Sequence, residues 1–347
     1  MFRSETKLNT RLSEVWILFL SAAFLALTST RAAGDAAALR ARALEFFAPL
    51  PATMPGAEKD TPALVKLGGK LFVDKRLSVN HTTACNTCHE LNRGGTYREA
   101  AAPGAFGQLS ERNSPTVFNA GFQFAQFWDG RAATLEAQAR EPMRNTNEMA
   151  MPTEAELLGR LRGNAFYRRG FARAFPGDAQ PFTGRHVVQA IAAFERTLVT
   201  HDRFDDFLRG DDRALSRAER RGLEIFLNTG CQQCHRGPGL GGNALEKIGV
   251  RHPFANTNDL GRARLTGADG DRYRFKVPML RNVVLTPPYF HDGSADSLTE
   301  AVRQMAWLQL DQALSCEEAE AIETFLHSLS DKRLALQHTE FLPSAQP

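Results

Sequence analysis

Cys85-Asn86-Thr87-Cys88-His89 and Cys231-Gln232-Gln233-Cys234-His235 are the two stretches on which the reading of this chain turns. Each is a C-x-x-C-H. Two cysteines at that spacing can reach both vinyl groups of one porphyrin and form thioethers, while the adjacent histidine turns beneath the ring as the proximal iron ligand. A redox dithiol gives no reason for a histidine after each pair, and a zinc site needs further paired ligands close by. The doubled motif predicts two covalent c-type haems, attached at Cys85, Cys88, Cys231 and Cys234, with His89 and His235 on the irons. The fifth cysteine, Cys316, lies in the stretch from Ser315 to Glu318, which reads as a helix start, and is expected to be an inert thiol.

Outward from each motif the chain repeats a pattern. A helical stretch with glycine and phenylalanine near its end precedes each motif, Leu64 to Phe72 and Ala218 to Leu227. A loop-rich region follows, then a closing amphipathic helix, Arg185 to Leu198 and Glu317 to Leu329. That is the layout of a class I cytochrome c domain, present twice. Inside the loops, Arg112-Asn113, Trp128-Asp129-Gly130 and Leu135-Glu136 pair with Arg281-Asn282, His291-Asp292-Gly293 and Leu298-Thr299. Aspartate to leucine is six residues in both copies, whereas asparagine to aspartate is sixteen in the first and ten in the second. The expected fold is mainly α, with two class I cytochrome c-like domains that each bind one covalent haem. The expected divisions are 33–208 for the N-terminal domain and 209–335 for the C-terminal one, joined near Gly210-Asp211-Asp212, with a tail at 336–347.

The N-terminus carries Arg3, Lys7 and Arg11, then an apolar run from Val15 to Leu27, then small residues ending near Ala32 and Ala33. That order reads as a signal peptide over 1–32 and predicts export to the periplasm, where c-type haem is attached. The run is short for a membrane span, and no later segment is apolar enough to cross, so no stable membrane insertion is expected. The formal charge is +3. Arg3, Lys7, Arg11 and Arg31 against Glu5 and Glu14 account for most of it, and haem propionates would turn the mature protein mildly acidic. A nucleic-acid partner has no electrostatic support.

Two haem motifs, Phe127-Trp128-Asp129-Gly130-Arg131 between them, and Val277-Pro278-Met279-Leu280-Arg281-Asn282 with Pro288-Tyr289-Phe290-His291 after them resemble the bacterial dihaem cytochrome c peroxidases, the family that also includes the MauG-type enzymes. The resemblance covers roughly residues 60 to 330. It implies an enzyme that reduces hydrogen peroxide with electrons from a small cytochrome c or a cupredoxin, with peroxide handled at the N-terminal haem and electrons entering at the C-terminal one. It also admits a homodimer.

Residue by residue, the resemblance makes Met305 the second axial ligand of the C-terminal haem, with Met279 as its rival. A thioether stabilises ferrous iron and suits an electron-entry site. Trp128 matches the tryptophan between the haems, and Gln138 and Glu148 match the distal pair of the peroxidatic haem. There a carboxylate can carry a proton between peroxide oxygens and an amide can orient them. Asn113, Thr286 and Pro288 fall where the family holds calcium, through a side-chain oxygen and two backbone carbonyls.

One departure matters. Many peroxidases of this family carry a histidine sixteen residues after the first haem-binding histidine, and here that position is Ala105. No histidine lies between His89 and His186. The first haem is therefore expected to rest five-coordinate or water-bound, with His81 the one alternative cap. The same departure keeps open a MauG-type enzyme that oxidises residues of a protein substrate, although that group carries tyrosine at the Met305 position. A non-catalytic electron carrier would leave Gln138 and Glu148 without a role.

Overall fold

The computed structural model describes residues 35–334, so the expected signal peptide and C-terminal tail lie outside the described residues. In chain order the helices are α1 (35–44), α2 (Pro62–Phe72), α3 (Cys85–Cys88), α4 (Leu135–Arg144), α5 (Glu154–Arg162), α6 (Ala165–Ala174), α7 (Gly184–Glu195), α8 (Arg203–Leu208), α9 (Arg217–Thr229), α10 (Ala263–Thr266), α11 (Leu298–Leu310) and α12 (Cys316–His327). Among the described residues the named strands are β1 (Leu245–Lys247) and β2 (Arg274–Lys276), one antiparallel pair. The mainly helical expectation holds. None of the described helices is long and apolar enough to cross a membrane.

Local chemistry sets the helix starts. Thr61, Thr134, Thr183, Ser216, Ser297 and Ser315 each accept a backbone N–H of the first turn through the side-chain hydroxyl. Ser216 with Glu219 and Ser315 with Glu318 close full capping boxes, which satisfy two otherwise orphaned donors apiece. Cys316 is thus the first residue of α12, and its thiol is exposed. Gly230 stops α9 in the left-handed region, at φ 98°, directly before Cys231.

Two buried cores organise these helices. Leu67, Leu71 and Phe72 of α2 meet Val187 and Ile191 of α7 in the first, while Leu223 and Phe226 of α9 meet Ile322 and Phe325 of α12 in the second. Each fully buried side chain of this size contributes on the order of 1.5–3 kcal/mol. The helices of each pair cross at a glycine. A Cβ on Gly68 would stand 1.7 Å from the Ala190 carbonyl oxygen, and one on Gly222 would stand 1.9 Å from that of Ala321. Alanine at either position must push two helices apart, so Gly222→Ala is expected to cost about 1–3 kcal/mol, read as a lowered denaturant midpoint. A midpoint unchanged within error would show that the helices do not cross this closely.

The second core also draws on the first part of the chain. Ala36, Leu39, Ala43 and Phe47, together with Phe204, Phe207 and Leu208, all lie inside the expected 33–208 domain, yet they pack into the second core. The apolar face of α1 carries no information about which core it will cover.

The repeat register also needs correction. Asn282 pairs with Asn119, not with Asn113. Both adopt left-handed backbone, φ 63° and 61°, and each opens a short 3₁₀ turn, Val283–Leu285 and Ala120–Phe122. The Asn119 N–H donates to the Leu198 carbonyl and the Asn282 N–H to the Leu329 carbonyl, both at 2.9 Å. Asn119 Oδ1 then accepts from the Thr200 N–H, and Asn282 Oδ1 from the Asp331 N–H. Counted from these asparagines, the aspartates Asp129 and Asp292 are ten residues on in both copies, which removes the mismatch of sixteen against ten. Phe127 and Phe290 are again left-handed, as are Gly130 and Gly293. In this register Pro115 matches Pro278, Trp128 matches His291, Gln138 matches Ala301 and Pro142 matches Met305.

Candidate functional site

The second C-x-x-C-H segment follows a core helix directly, whereas the first lies beyond α2 in a short helix of its own. Cys85–Cys88 forms the short α3, and Cys231–Gln233 forms a 3₁₀ turn after α9. His89 Nδ1 lies 3.3 Å from the Gly95 carbonyl oxygen and His235 Nδ1 lies 3.1 Å from that of Leu240. Burial holds both imidazoles below the usual histidine range, opposed by bonds to these carbonyls and to those of Pro115 and Pro278. A neutral ring that donates Nδ1–H to a carbonyl keeps the Nε2 lone pair for a metal. The four cysteine thiols of the motifs are likewise pushed up by burial. They are poor thiolates, which suits thioether partners better than a redox dithiol.

Beside His235 lies a large, mostly apolar cavity that Cys231, Cys234, Ala301, Met305, Ile322 and Leu326 help to line. It fits a flat hydrophobic macrocycle attached at the two cysteines. Met305 reaches it from α11. Met279 also borders it, but packs against the loop that carries the His235 carbonyl partner: a Cβ on Gly239 would stand 2.5 Å from Met279 Cε. Met279 thus sits with the histidine side, whereas a sixth ligand must come from the opposite face.

The first site differs where the repeat says it should. Gln138 of α4 holds the place of Ala301, and Pro142, inside the same helix, holds the place of Met305. A proline at that position supplies no thioether. Glu148 follows α4, and its Oε1 accepts a hydrogen bond from Asn145 Nδ2 at 2.7 Å. Burial pushes the Glu148 carboxyl above the usual range, with Arg131 pulling it down and Glu141 up. Glu148 also raises the Cys88 thiol, second only to burial, so its charge falls on the first haem segment.

Ala105 is buried over this region. Its N–H donates to the Glu148 carbonyl at 2.6 Å, and its own carbonyl accepts from the Asn80 amide. A Cβ on the preceding Gly104 would meet the Asn147 carbonyl oxygen at 2.1 Å, so the loop needs glycine to lie this close. His81 is exposed on a left-handed turn at φ 63°.

Between the two halves the pseudo-symmetric copies exchange backbone bonds. The Asn113 N–H donates to the His291 carbonyl at 2.8 Å, and its counterpart, the Lys276 N–H, donates to the Trp128 carbonyl at 2.6 Å. Trp128 Nε1 donates to the Asn113 carbonyl at 2.9 Å, and its ring stands edge-on to His291 with centroids 6.3 Å apart. Arg112 clamps this seam, bidentate to Asp259 at 2.6 and 2.9 Å and bonded to Asp129 at 2.7 Å.

Sequence reasoning missed two residues here. Lys276 is buried with Nζ on the Ala125 carbonyl at 2.9 Å, and burial lowers it to about 7. His291 is 2% exposed and its Nε2 lacks a partner. The signal for His291 was available, because the shared Asp-Gly places it on Trp128. Asn113, Thr286 and Pro288 all border the same cavity as Trp128. Asn113 Nδ2 donates to the Glu99 carbonyl at 3.2 Å, so its Oδ1 faces the role of acceptor or ligand. Among the described residues no cluster of three His, Cys, Asp or Glu side chains could hold a metal ion.

Comparison with known proteins gives a consistent set of likenesses. A family model described as di-haem cytochrome c peroxidase matches residues 62–213. A cytochrome c551 peroxidase of Pseudomonas aeruginosa is 41% identical over 312 residues, which cover 88% of this chain and 90% of that protein. A methylamine utilization protein MauG of Methylorubrum extorquens is 38% identical over 273 residues, 77% of this chain and 74% of that one. A crystal structure of a MauG-like protein associated with microbial copper homeostasis superposes with a TM-score of 0.73 at 28% identity, covering 82% of this chain and 94% of that one.

Proposed function

The chain belongs to the di-haem cytochrome c peroxidase family, and on that premise we propose that it reduces hydrogen peroxide to water with electrons delivered singly by a small cytochrome c or a cupredoxin. The observation that carries this reading is the asymmetry between the two sites: Met305 borders one cavity, while Pro142 and Ala105 stand where the other could have been closed.

Two c-type haems would be held by thioethers at Cys85, Cys88, Cys231 and Cys234, with His89 and His235 beneath the irons and Met305 as the second ligand of the C-terminal one. The two halves are then class I cytochrome c-like domains. The irons supply the peroxide binding and the one-electron chemistry. The protein does the rest. Gln138 orients the peroxide oxygens from α4, and Glu148 moves a proton from one oxygen to the other so that water can leave. Burial, which raises this carboxyl, favours its protonated form and so the form that can hand a proton on. Trp128, edge-on to His291 at the seam, shortens the electron path between sites. One turnover takes two electrons and two protons per peroxide and yields two waters.

Asn113 Oδ1 and the Thr286 and Pro288 carbonyls would hold a calcium ion beside Trp128, an all-oxygen set of the kind calcium accepts. The basic, apolar and small-residue order at 1–32 supports export to the periplasm.

Steady-state oxidation of a reduced small cytochrome c by peroxide, with no reductive pretreatment, tests the function. Turnover supports it. An intact holoprotein that consumes peroxide but not the donor would move the reading to a MauG-type oxidation of a protein substrate. The removable histidine can also be put back. Ala105→His should convert the first haem to a low-spin form and make turnover depend on prior reduction. Unchanged spectra and activity would show that this loop does not face the iron.

A further inference from the structure

Glu195 is the last residue of α7 and is buried, with a residue exposure of 4%, and its Oε2 has no hydrogen-bond partner. An unpartnered carboxylate in an apolar interior is strongly disfavoured, so the position demands either a neighbouring charge or a proton. The charged groups facing it are Glu136 of α4, which repels, the adjoining Arg196, which attracts, and the Cys85 thiol of α3. Arg196 is already committed, to Asp60 at 2.6 and 2.9 Å and to Glu136 at 2.7 Å. Burial, the largest cause, with Glu136 pushes the Glu195 carboxyl up to about 8.

The repeat fixes what Glu195 faces. Phe194 packs on Gly68 as Phe325 packs on Gly222, each with its Cβ 2.9 Å from the position a glycine Cβ would take. The next residue is Glu195 in the first half and Leu326 in the second. Leu326 borders the cavity shared by His235 and Met305, so Glu195 stands at the matching wall of the first site. A separate sign agrees: after burial, Glu195 is the largest influence that raises Cys85. On the other side, a cleft of mixed lining, with the charged side chains Lys59, Asp60, Glu136, Arg185 and Arg196 along it, opens toward solvent. Glu195 is therefore an acid between that cleft and the place of the first haem.

We propose that Glu195 is a proton-loading residue of the first haem pocket, exchanging its proton with solvent by way of the cleft at Glu136 and Arg196. Each electron taken from the small redox donor into this pocket is matched by one proton taken from solvent onto the carboxylate. Only an O–H bond forms, and it breaks again when the electron leaves. In the second site leucine, Leu326, holds the position. The inference rests on the reading that the first half holds a haem, but not on peroxidase turnover, so the two can fail separately.

The test is a spectroelectrochemical titration of the first haem in the holoprotein, from about pH 6 to pH 10, a range that brackets a strongly raised carboxyl. The wild-type reduction equilibrium should shift up to tenfold per pH unit, about 59 mV for one electron, and Glu195→Gln should abolish that slope. Glu148 is the other raised carboxyl of this pocket. A slope that survives in folded Glu195→Gln and vanishes in Glu148→Gln would overturn the proposal. Should the variant fail to load haem, the redox-difference infrared spectrum of the wild type decides. A carboxylic C=O band that changes with the redox state and shifts in D₂O is expected, and its absence would overturn the proposal.

Discussion

Glu148→Gln should slow peroxide turnover by about 10²–10⁴-fold, the usual worth of a positioned acid or base. Glutamine keeps the size of the side chain, and its amide oxygen can still accept from Asn145 Nδ2, which now holds Oε1 at 2.7 Å. What it loses is the proton. The loop over the site should stay in place, because Ala105 is bonded to the Glu148 backbone carbonyl and not to the side chain. The discriminating result is thus a large loss of turnover with unchanged haem spectra and an unchanged rate of electron entry at the second site. A loss of less than threefold would remove Glu148 from the proton path and leave Gln138 or solvent to carry it.

Arg281→Met should destabilise the protein by about 3–5 kcal/mol, roughly two to four powers of ten in the folding equilibrium. The Arg281 side chain is 0% exposed and bonds to both Asp202 oxygens at 2.6 and 2.7 Å, to Asp205 at 2.8 Å and to the Pro238 carbonyl at 2.9 Å. Asp205 in turn accepts the Leu50 N–H at 3.1 Å, so one guanidinium joins the segment after α1, the start of α8 and the loop behind the second haem motif. Removing it strands two carboxylates in the interior. Asp205 is held above its usual range even with Arg281 present, because burial outweighs the attraction and Asp202 repels. Without the arginine Asp205 should take a proton more readily, so the deficit should shrink as the pH falls. Urea denaturation of the holoprotein at neutral and acid pH measures both effects. A cost under about 1 kcal/mol would mean that the buried cluster was carrying little of the stability.

Much of this was legible in the sequence because it is local. The C-x-x-C-H segments, the Ser315 helix start, and the long helices before and after each motif depend on residues a few positions apart, and the structure has them as expected. The repeat was visible but its register was not. Arg112-Asn113 imitates Arg281-Asn282 in letters, whereas the structural match rests on left-handed Asn119 and Asn282 and on carbonyls nearly eighty and fifty residues away. Which core takes in α1 and α8 was not legible for the same reason. The amphipathic face of α1 and the phenylalanines of α8 declare burial, but only the buried Arg281 cluster decides that they belong to the second core. Nothing in the letters marks Glu195 and Lys276 as interior groups; only packing reveals them as such.

Low-temperature electron paramagnetic resonance of the fully oxidised holoprotein tests most directly the claim that the two haem sites are built differently. Pro142 and Ala105 in the first site and Met305 in the second predict one high-spin ferric signal beside one low-spin signal, without reductive treatment. Two low-spin signals would contradict it and would require a cap on the first iron that Ala105 does not supply.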